Sequence, residues 1–317
     1  MFGNNIRLMT IIVLVSSVTL VVFGAETWRL EDGREWSAIS EGSKAGYVLA
    51  VSEIKGLVQE GRTDAVKKAL AALKTDFPEV AGPDLDVFME AEILFSEGKF
   101  TKAVRAYDRL LTEYPSSRLY EAALEREFAI ATGFLGGEKK QVLKFFKIRG
   151  YSEGEKVMGR ISDRAGDAPI GVRASVSVAE SLEKRGKFED AYQEWSEISS
   201  LWPTGRTGRD SLLGMARCKH AAYRGPNYSI SNLISARSYY EDFKQRYPRE
   251  AESFDIAGKL RQIEEQQAYK QFSTGEYYKK AGNDESARFY YEMVLEGWPE
   301  SVAAKMANEA MSEGDSE

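Results

Sequence analysis

The chain has 317 residues, 43% of them apolar and 29% charged, which is enough to bury a sizeable core. Its net charge of −6 excludes nucleic acid as the main partner, since neutralising phosphates needs a basic face. One cysteine, Cys218, excludes an intramolecular disulfide, and one histidine, His220, leaves an enzyme little to work with.

Residues 1–25 read as an export segment rather than as part of the fold. Arg7 gives a weakly positive start, Leu8 to Phe23 carries no charge, and Gly24 and Ala25 are small residues ahead of the polar Glu26. An apolar run of about 16 residues is short for a spanning helix of roughly 20, so the expected form is a cleaved signal, with a retained inner-membrane anchor as the alternative. Residues 26–46 carry Trp28 and Trp36 on either side of Asp32-Gly33, a dipeptide that favours tight β-turns. Two readings of this stretch stand: a small strand pair that caps the helices beyond it or meets a partner, and a linker whose tryptophans rest on the first helices.

From residue 47 to 311 helical periodicity dominates, and one stretch can be laid over the rest repeatedly. In Asp84 to Pro115 the marks fall at fixed offsets from Gly98: Ala103 five residues on, Tyr107 nine on and Pro115 seventeen on. Each suits two antiparallel helices joined by a tight turn. Glycine takes the left-handed conformation that ends the first helix, alanine lets the second cross close, tyrosine fills the gap a turn later, and proline stops the second helix. The marks recur as Gly186, Ala191, Trp195 and Pro203, and as Gly282, Ala287, Tyr291 and Pro299. Gly61, Val66, Leu70 and Pro78 form a looser copy, Ser231, Ala236, Tyr240 and Pro248 another with serine at the turn, and Ser152, Val157, Ile161 and Pro169 the weakest.

Six hairpins result, at about 47–78, 84–115, 119–169, 172–203, 209–248 and 252–299, with a closing helix at 300–311 and an acidic tail at 312–317 after them. A single long helix is expected from Glu252 to Lys280. Long loops interrupt the array at 137–151 and 223–234. The first, GEKKQVLKFFKIRGY, interleaves Lys139, Lys140, Lys144, Lys147 and Arg149 with Phe145, Phe146 and Tyr151. It reads either as a basic amphipathic contact for a membrane surface or acidic partner, or as apolar residues closing over the neighbouring hairpin beneath solvated lysines.

No catalytic constellation emerges. His220 lies two residues from Cys218 on a predicted helix, so the pair faces different sides, as a surface imidazole and a buried thiol. Gly-rich phosphate loops and the HExxH, GxSxG and CxxC motifs do not occur, and neither a cofactor nor a metal is expected.

The fixed-offset hairpins resemble the tetratricopeptide repeat, whose helix pairs stack into a right-handed superhelical solenoid. The expected fold is therefore all-α, with about six such hairpins behind a short N-terminal β-hairpin or linker. From Ala236 to Pro299 the resemblance narrows. Ala236, Tyr240, Phe243, Tyr247-Pro248, the long linking helix, Tyr277-Tyr278, Gly282, Tyr290-Tyr291 and Trp298-Pro299 are similar to the C-terminal half of BamD-like outer-membrane assembly lipoproteins, and a weaker likeness reaches back to about residue 47. Two features depart from that family: Val22-Phe23-Gly24 is followed by Ala25 where members carry an acylated cysteine, and members usually have one hairpin fewer. The resemblance implies a non-enzymatic periplasmic adaptor at the inner face of the outer membrane, binding the soluble domains of the β-barrel insertase and unfolded barrel substrates. Its membrane association would be indirect or through an uncleaved N-terminal segment. The alternative is a cell-envelope scaffold of Tol-Pal or cell-division type.

The likeness is densest in the last hairpins, which places the partner contact there. Tyr269, Phe272, Glu276, Lys279 and Lys280 are expected on the concave face, Arg261 and Lys259 earlier on the same helix would supply positive charge to an acidic partner, and Gly275 and Tyr278 turn toward the adjoining helix. An ordinary solvated helix end is the other reading of these residues.

Overall fold

The computed structural model describes residues 28–31, 35–38, 43–78, 81–143 and 146–314. The expected export segment and residues 315–317 of the expected acidic tail lie outside the described residues. Two compact units share the chain, Met1–Ala81 and Gly82–Glu317.

In the first unit, β1 (Trp28–Glu31) pairs antiparallel with β2 (Glu35–Ala38), with Trp28 opposite Ala38 and Leu30 opposite Trp36. Of the two readings of this stretch, the strand pair is the one found. Helices α1 (Ser43–Gln59) and α2 (Thr63–Asp76) form a hairpin that buries Ile54 and Val58 of α1 with Val66, Leu70 and Leu73 of α2.

Among the described residues of the second unit, the regular elements are helices apart from one strand pair. Its hairpins are α3 (Pro83–Ser96) with α4 (Phe100–Glu113), α5 (Tyr120–Leu135) with α6 (Tyr151–Ala165), α7 (Pro169–Lys184) with α8 (Phe188–Leu201), α9 (Gly205–Ala221) with α10 (Ser231–Arg246), and α12 (Ile256–Lys280) with α13 (Asp284–Gly297). The short α11 (Pro248–Ser253) precedes α12, and α14 (Val302–Gly314) closes the unit. Each helix packs on its neighbour in the chain, the arrangement of a tetratricopeptide-like solenoid. No helix among the described residues is long and apolar enough to cross a membrane.

The spacing marks take the backbone roles their chemistry dictates. Gly61, Gly98, Gly186 and Gly282 all have φ between 67° and 75°. The next amide N–H in each case reaches back five residues, as in Lys99 N to Leu94 O at 2.9 Å and Asn283 N to Tyr278 O at 3.0 Å, which satisfies a carbonyl the ending helix leaves open. Phe77, Tyr114, Trp202 and Trp298, each just before a proline, share φ from −128° to −142° and ψ from 60° to 71°, outside helical geometry. Ala103, Tyr107, Ala191, Trp195, Ala287 and Tyr291 are all buried. A Cβ on Gly275 of α12 would stand 2.6 Å from Tyr291 Cε1, which is why that first helix carries no side chain where the ring lies.

Several expectations need correction. Ser152 and Ser231 are not turn residues, because they lie in the first turns of α6 and α10. The left-handed positions are Gly137 (φ 97°) and Gly225 (φ 107°), a backbone conformation in which a serine would be strained. Pro169 starts α7 instead of stopping α6, since the first helical residue needs no N–H partner, whereas Pro248 does both: α10 ends at Arg246 with Tyr247 at φ −129° and ψ 61°, and Pro248 opens α11. The long helix from Glu252 is broken: α11 ends at Ser253, Asp255 takes a left-handed conformation (φ 49°, ψ 48°), and its Oδ1 accepts the Gly258 N–H at 3.1 Å to start α12. The insertion at 137–151 is a strand pair, β3 (Lys139–Leu143) with β4 (Phe146–Arg149), irregular between Gln141 and Leu143. Helix α10 begins at Ser231, so the second loop is shorter than expected. Helix α14 runs on to Gly314, started by Ser301 Oγ accepting the Ala304 N–H at 3.0 Å and by Glu265, whose carboxylate accepts the Val302 N–H at 3.1 Å.

A candidate binding groove on the first helices

Successive first helices are held together by carboxylates. Glu92 of α3 is buried; its Oε1 accepts the Tyr107 hydroxyl of α4 at 2.6 Å, and Arg126 of α5 binds both its oxygens at 2.7 Å. Glu183 of α7 repeats the arrangement, taking Trp195 Nε1 of α8 at 3.2 Å and both ends of Arg217 of α9 at 2.6 and 2.9 Å. Each arginine sits 34 residues beyond its glutamate, one repeat length, which aligns two first helices for a planar two-point contact. Burial, with Glu92 beside it, holds the Tyr107 hydroxyl well above the usual phenol range. In the last hairpin Glu276 accepts the Tyr291 hydroxyl at 2.6 Å, but 34 residues on stands Ala310, and no arginine completes the set.

Between α5, α7 and α9 a groove of about 610 Å³ opens, with Trp195 beneath it and Phe254 at its edge. Four arginines line it, Arg173, Arg206, Arg209 and Arg217, against two acids, Glu180 and Asp210. They are committed to different degrees. Arg217 is pinned by Glu183, and Arg209 is held by Asp210 at 2.8 and 2.9 Å and by Glu250 at 3.4 Å. Arg206 is 87% exposed and touches Asp210 at 3.5 Å, while Arg173 lies over the Phe128 ring at 4.3 Å with exposed Glu125 at 3.3 Å. The arrangement can hold carboxylates beside an apolar floor.

The other face of α7 has the opposite polarity. A cleft of about 400 Å³ between α6 and α8 is lined by Glu155, Asp163, Asp190, Glu194 and Glu197, with Lys187 as its one base. Burial pushes the Glu194 carboxyl up, helped by Glu197, Glu155 and Asp190. Helix α7 therefore separates a cationic groove from an anionic one.

The residues expected to bind a partner all lie on α12 and share no single fate. Tyr269 is 45% exposed and lines a recess of about 360 Å³ with Tyr223, Pro226 and Val302. Phe272 is not presented: it is buried 5.7 Å from the Tyr291 ring, because its position on α12 points it at α13. Glu276 is engaged by Tyr291, whose hydroxyl burial and Glu276 together push up. Arg261 and Lys280 are exposed and Lys279 is half-buried. Gly275 faces Tyr291 and Tyr278 stacks on Tyr290 at 5.5 Å, both toward α13 as expected.

His220 is half-buried rather than a surface imidazole, with Nε2 3.1 Å from Gln266 Oε1 and its ring edge-on to Tyr240; burial pushes its pKa down. Cys218 is buried, and that burial pushes its thiol up to about 12. Sequence reasoning missed the groove arginines and Phe254. For Phe254 the signal available was Asp255 three residues before Gly258, a start mark inside an otherwise helical stretch, and for Arg217 it was the 34-residue spacing from Glu183.

A tetratricopeptide repeat model matches residues 87–117, which cover most of the α3–α4 hairpin and the turn after it. No curated protein matches the sequence significantly. Solved structures similar to the chain include PilW, described as a widely conserved type IV pilus biogenesis factor, at 17% identity and a TM-score of 0.31, covering 83% of this chain and 97% of that one. Another is a human IFIT1 dimer with m7Gppp-AAAA, at 13% identity and a TM-score of 0.25, covering 81% of this chain and 70% of that one. The second hairpin thus carries a tetratricopeptide repeat at the place where the four-mark spacing puts one, and repeats of this kind imply protein partners.

Proposed function

We propose that the chain is an exported, non-catalytic scaffold of outer-membrane β-barrel assembly, binding the insertase's soluble domains and unfolded barrel substrates at the periplasmic face of the outer membrane. The observation that carries the binding role is the open groove on the first helices, where exposed arginines stand over an apolar floor. The residue likeness from Ala236 to Pro299 supports the insertase as partner, and the uncharged run from Leu8 to Phe23 supports export.

Pull-down from detergent-solubilised envelopes tests the reading. Insertase subunits are the expected catch; Tol-Pal components would move the scaffold to that system, and cleaved glycan would make the chain an enzyme. Two charge-reversed forms locate the surface, one with Arg261, Lys279 and Lys280 changed to Glu, the other with Arg173 and Arg206 changed to Glu. The form that loses the partner while circular dichroism stays unchanged marks the docking side.

A further inference from the structure

The groove between α5, α7 and α9 has features that select among protein segments. Its four arginines are unequally tied. Arg217 and Arg209 are held by acids already in place, but Arg206 and Arg173 are paired only at 3.5 and 3.3 Å. Arg206 is almost fully exposed, and in the second pair Arg173 and Glu125 are both more than half exposed. Exposed pairs of this kind contribute little, so an incoming carboxylate can replace Asp210 or Glu125 without stranding a buried charge. The planar guanidinium of Arg173 is also braced over Phe128, which holds it ready for a two-point contact.

The second feature is the break in the chain at Asp255. A left-handed non-glycine residue costs free energy and persists only where its surroundings hold it. Here the break ends α11, starts α12 through the Asp255–Gly258 cap, and leaves Phe254 at the rim of the groove, 47% exposed. Phe243, itself buried, braces the ring at 6.2 Å. A large exposed aromatic ring beside Val176 and Leu213 makes an apolar seat next to the arginines.

Resting on the scaffold reading, we infer that this groove takes an extended protein segment in which a carboxylate stands beside a bulky apolar side chain. The apolar side chain sits between Phe254, Val176 and Leu213, and the carboxylate sits on Arg173 or Arg206. Nucleic acid fits less well, because Glu180 and Asp210 in the same lining oppose evenly spaced phosphates, whereas a peptide can place its charges between them.

The test is selection of a displayed random dodecapeptide library on the full chain, and then fluorescence anisotropy with a labelled selected peptide. Recovered peptides are expected to pair Asp or Glu with Leu, Ile or an aromatic residue. Changing Arg173 and Arg206 together to Glu should weaken their binding about tenfold or more, and added salt should do the same. Phe254→Ala should weaken it less, and Lys102→Glu, at an exposed position of α4 away from the groove, not at all. Peptides without carboxylates, or binding indifferent to the Arg173 and Arg206 changes while circular dichroism shows an intact fold, would overturn the inference but leave the scaffold reading standing. A labelled single-stranded oligonucleotide that binds as tightly as the peptide would overturn it too. Recovery of no peptide, with envelope pull-down still capturing a partner, removes the groove inference alone; if both fail, the scaffold reading falls with it.

Discussion

Glu92 and Glu127 sit on neighbouring first helices, α3 and α5, both closed off from solvent, yet they are held in opposite ways. Glu92 receives a tyrosine hydroxyl and both ends of an arginine. Glu127 receives no hydrogen bond on either oxygen. Its nearest cation is Arg164 Nη1 at 3.6 Å, while Arg164 Nη2 turns to Asp108 at 2.7 Å and Arg160 Nε stands 3.3 Å from the same carboxylate without hydrogen-bond geometry. Burial pushes the Glu127 carboxyl up to about 7, with Arg160 and Arg164 only partly offsetting it. The difference lies in register. Counting 34 residues from Glu92 lands on Arg126 of the next first helix, but the β3–β4 insertion spoils the count after Glu127, which lands on Ile161 in α6. A buried charge is tolerated when the repeat length delivers its partner, and is pushed toward neutrality when it does not.

Removing the partner from the satisfied site should have the largest effect. Arg126→Ala strands the Glu92 carboxylate and should cost about 3 to 5 kcal/mol in urea unfolding, and pairing it with Glu92→Gln should recover much of the loss. A cost below about 1 kcal/mol would mean that the arginine is not what holds α3 to α5.

The unsatisfied site should show itself through pH. Between an ordinary carboxyl value of 4.5 and about 7, the folded chain keeps a proton on Glu127 that the unfolded chain has released. The stability this group contributes is therefore full below about 4.5, declines as pH rises, and is gone above about 7, a span of about 3 kcal/mol. Glu127→Gln does not titrate, so its stability relative to the parent should rise by about that amount from pH 4.5 to pH 8. A constant difference across that range would remove the contrast with Glu92.

Two smaller effects sharpen the comparison at the last hairpin. Gly275→Ala pushes a methyl into the Tyr291 ring that donates to Glu276, and should lower stability by about 1 to 3 kcal/mol. Ala310→Arg supplies the arginine missing at 34 residues from Glu276 and should raise stability by at most about 1 kcal/mol. An unchanged or lower melting temperature would show that α14 does not stand in the register of a further first helix.

The hairpins were legible wherever a glycine and a proline bracket a second helix, since both residues restrict the backbone locally whatever the tertiary context. Ser152 and Ser231 misled because the ruler kept counting through insertions, which the fold absorbs before α6 and α10 rather than at those serines. The break at Asp255 was masked by a helix-compatible sequence on both sides, so its start mark three residues before Gly258 gains meaning only beside the left-handed backbone and the capping contact. Of the residues expected on the concave face, Tyr269 is exposed beside a recess, while Phe272 is buried, because its face depends on how α12 meets α13. Three of the groove arginines, Arg206, Arg209 and Arg217, lie on α9 and the fourth, Arg173, on α7, and each one alone reads as a solvated surface residue. The arginine–glutamate contacts had a signal in their shared 34-residue spacing, but it becomes meaningful only once the stacking direction is known.

Packing of each helix on its chain neighbours also bears on how the second unit acquires its structure. Few of its contacts wait for distant parts of the chain, so little loop-closure entropy stands between a newly emerged hairpin and its native partners. Folding can start at one hairpin and spread to the next, in step with a chain delivered end first by synthesis or translocation.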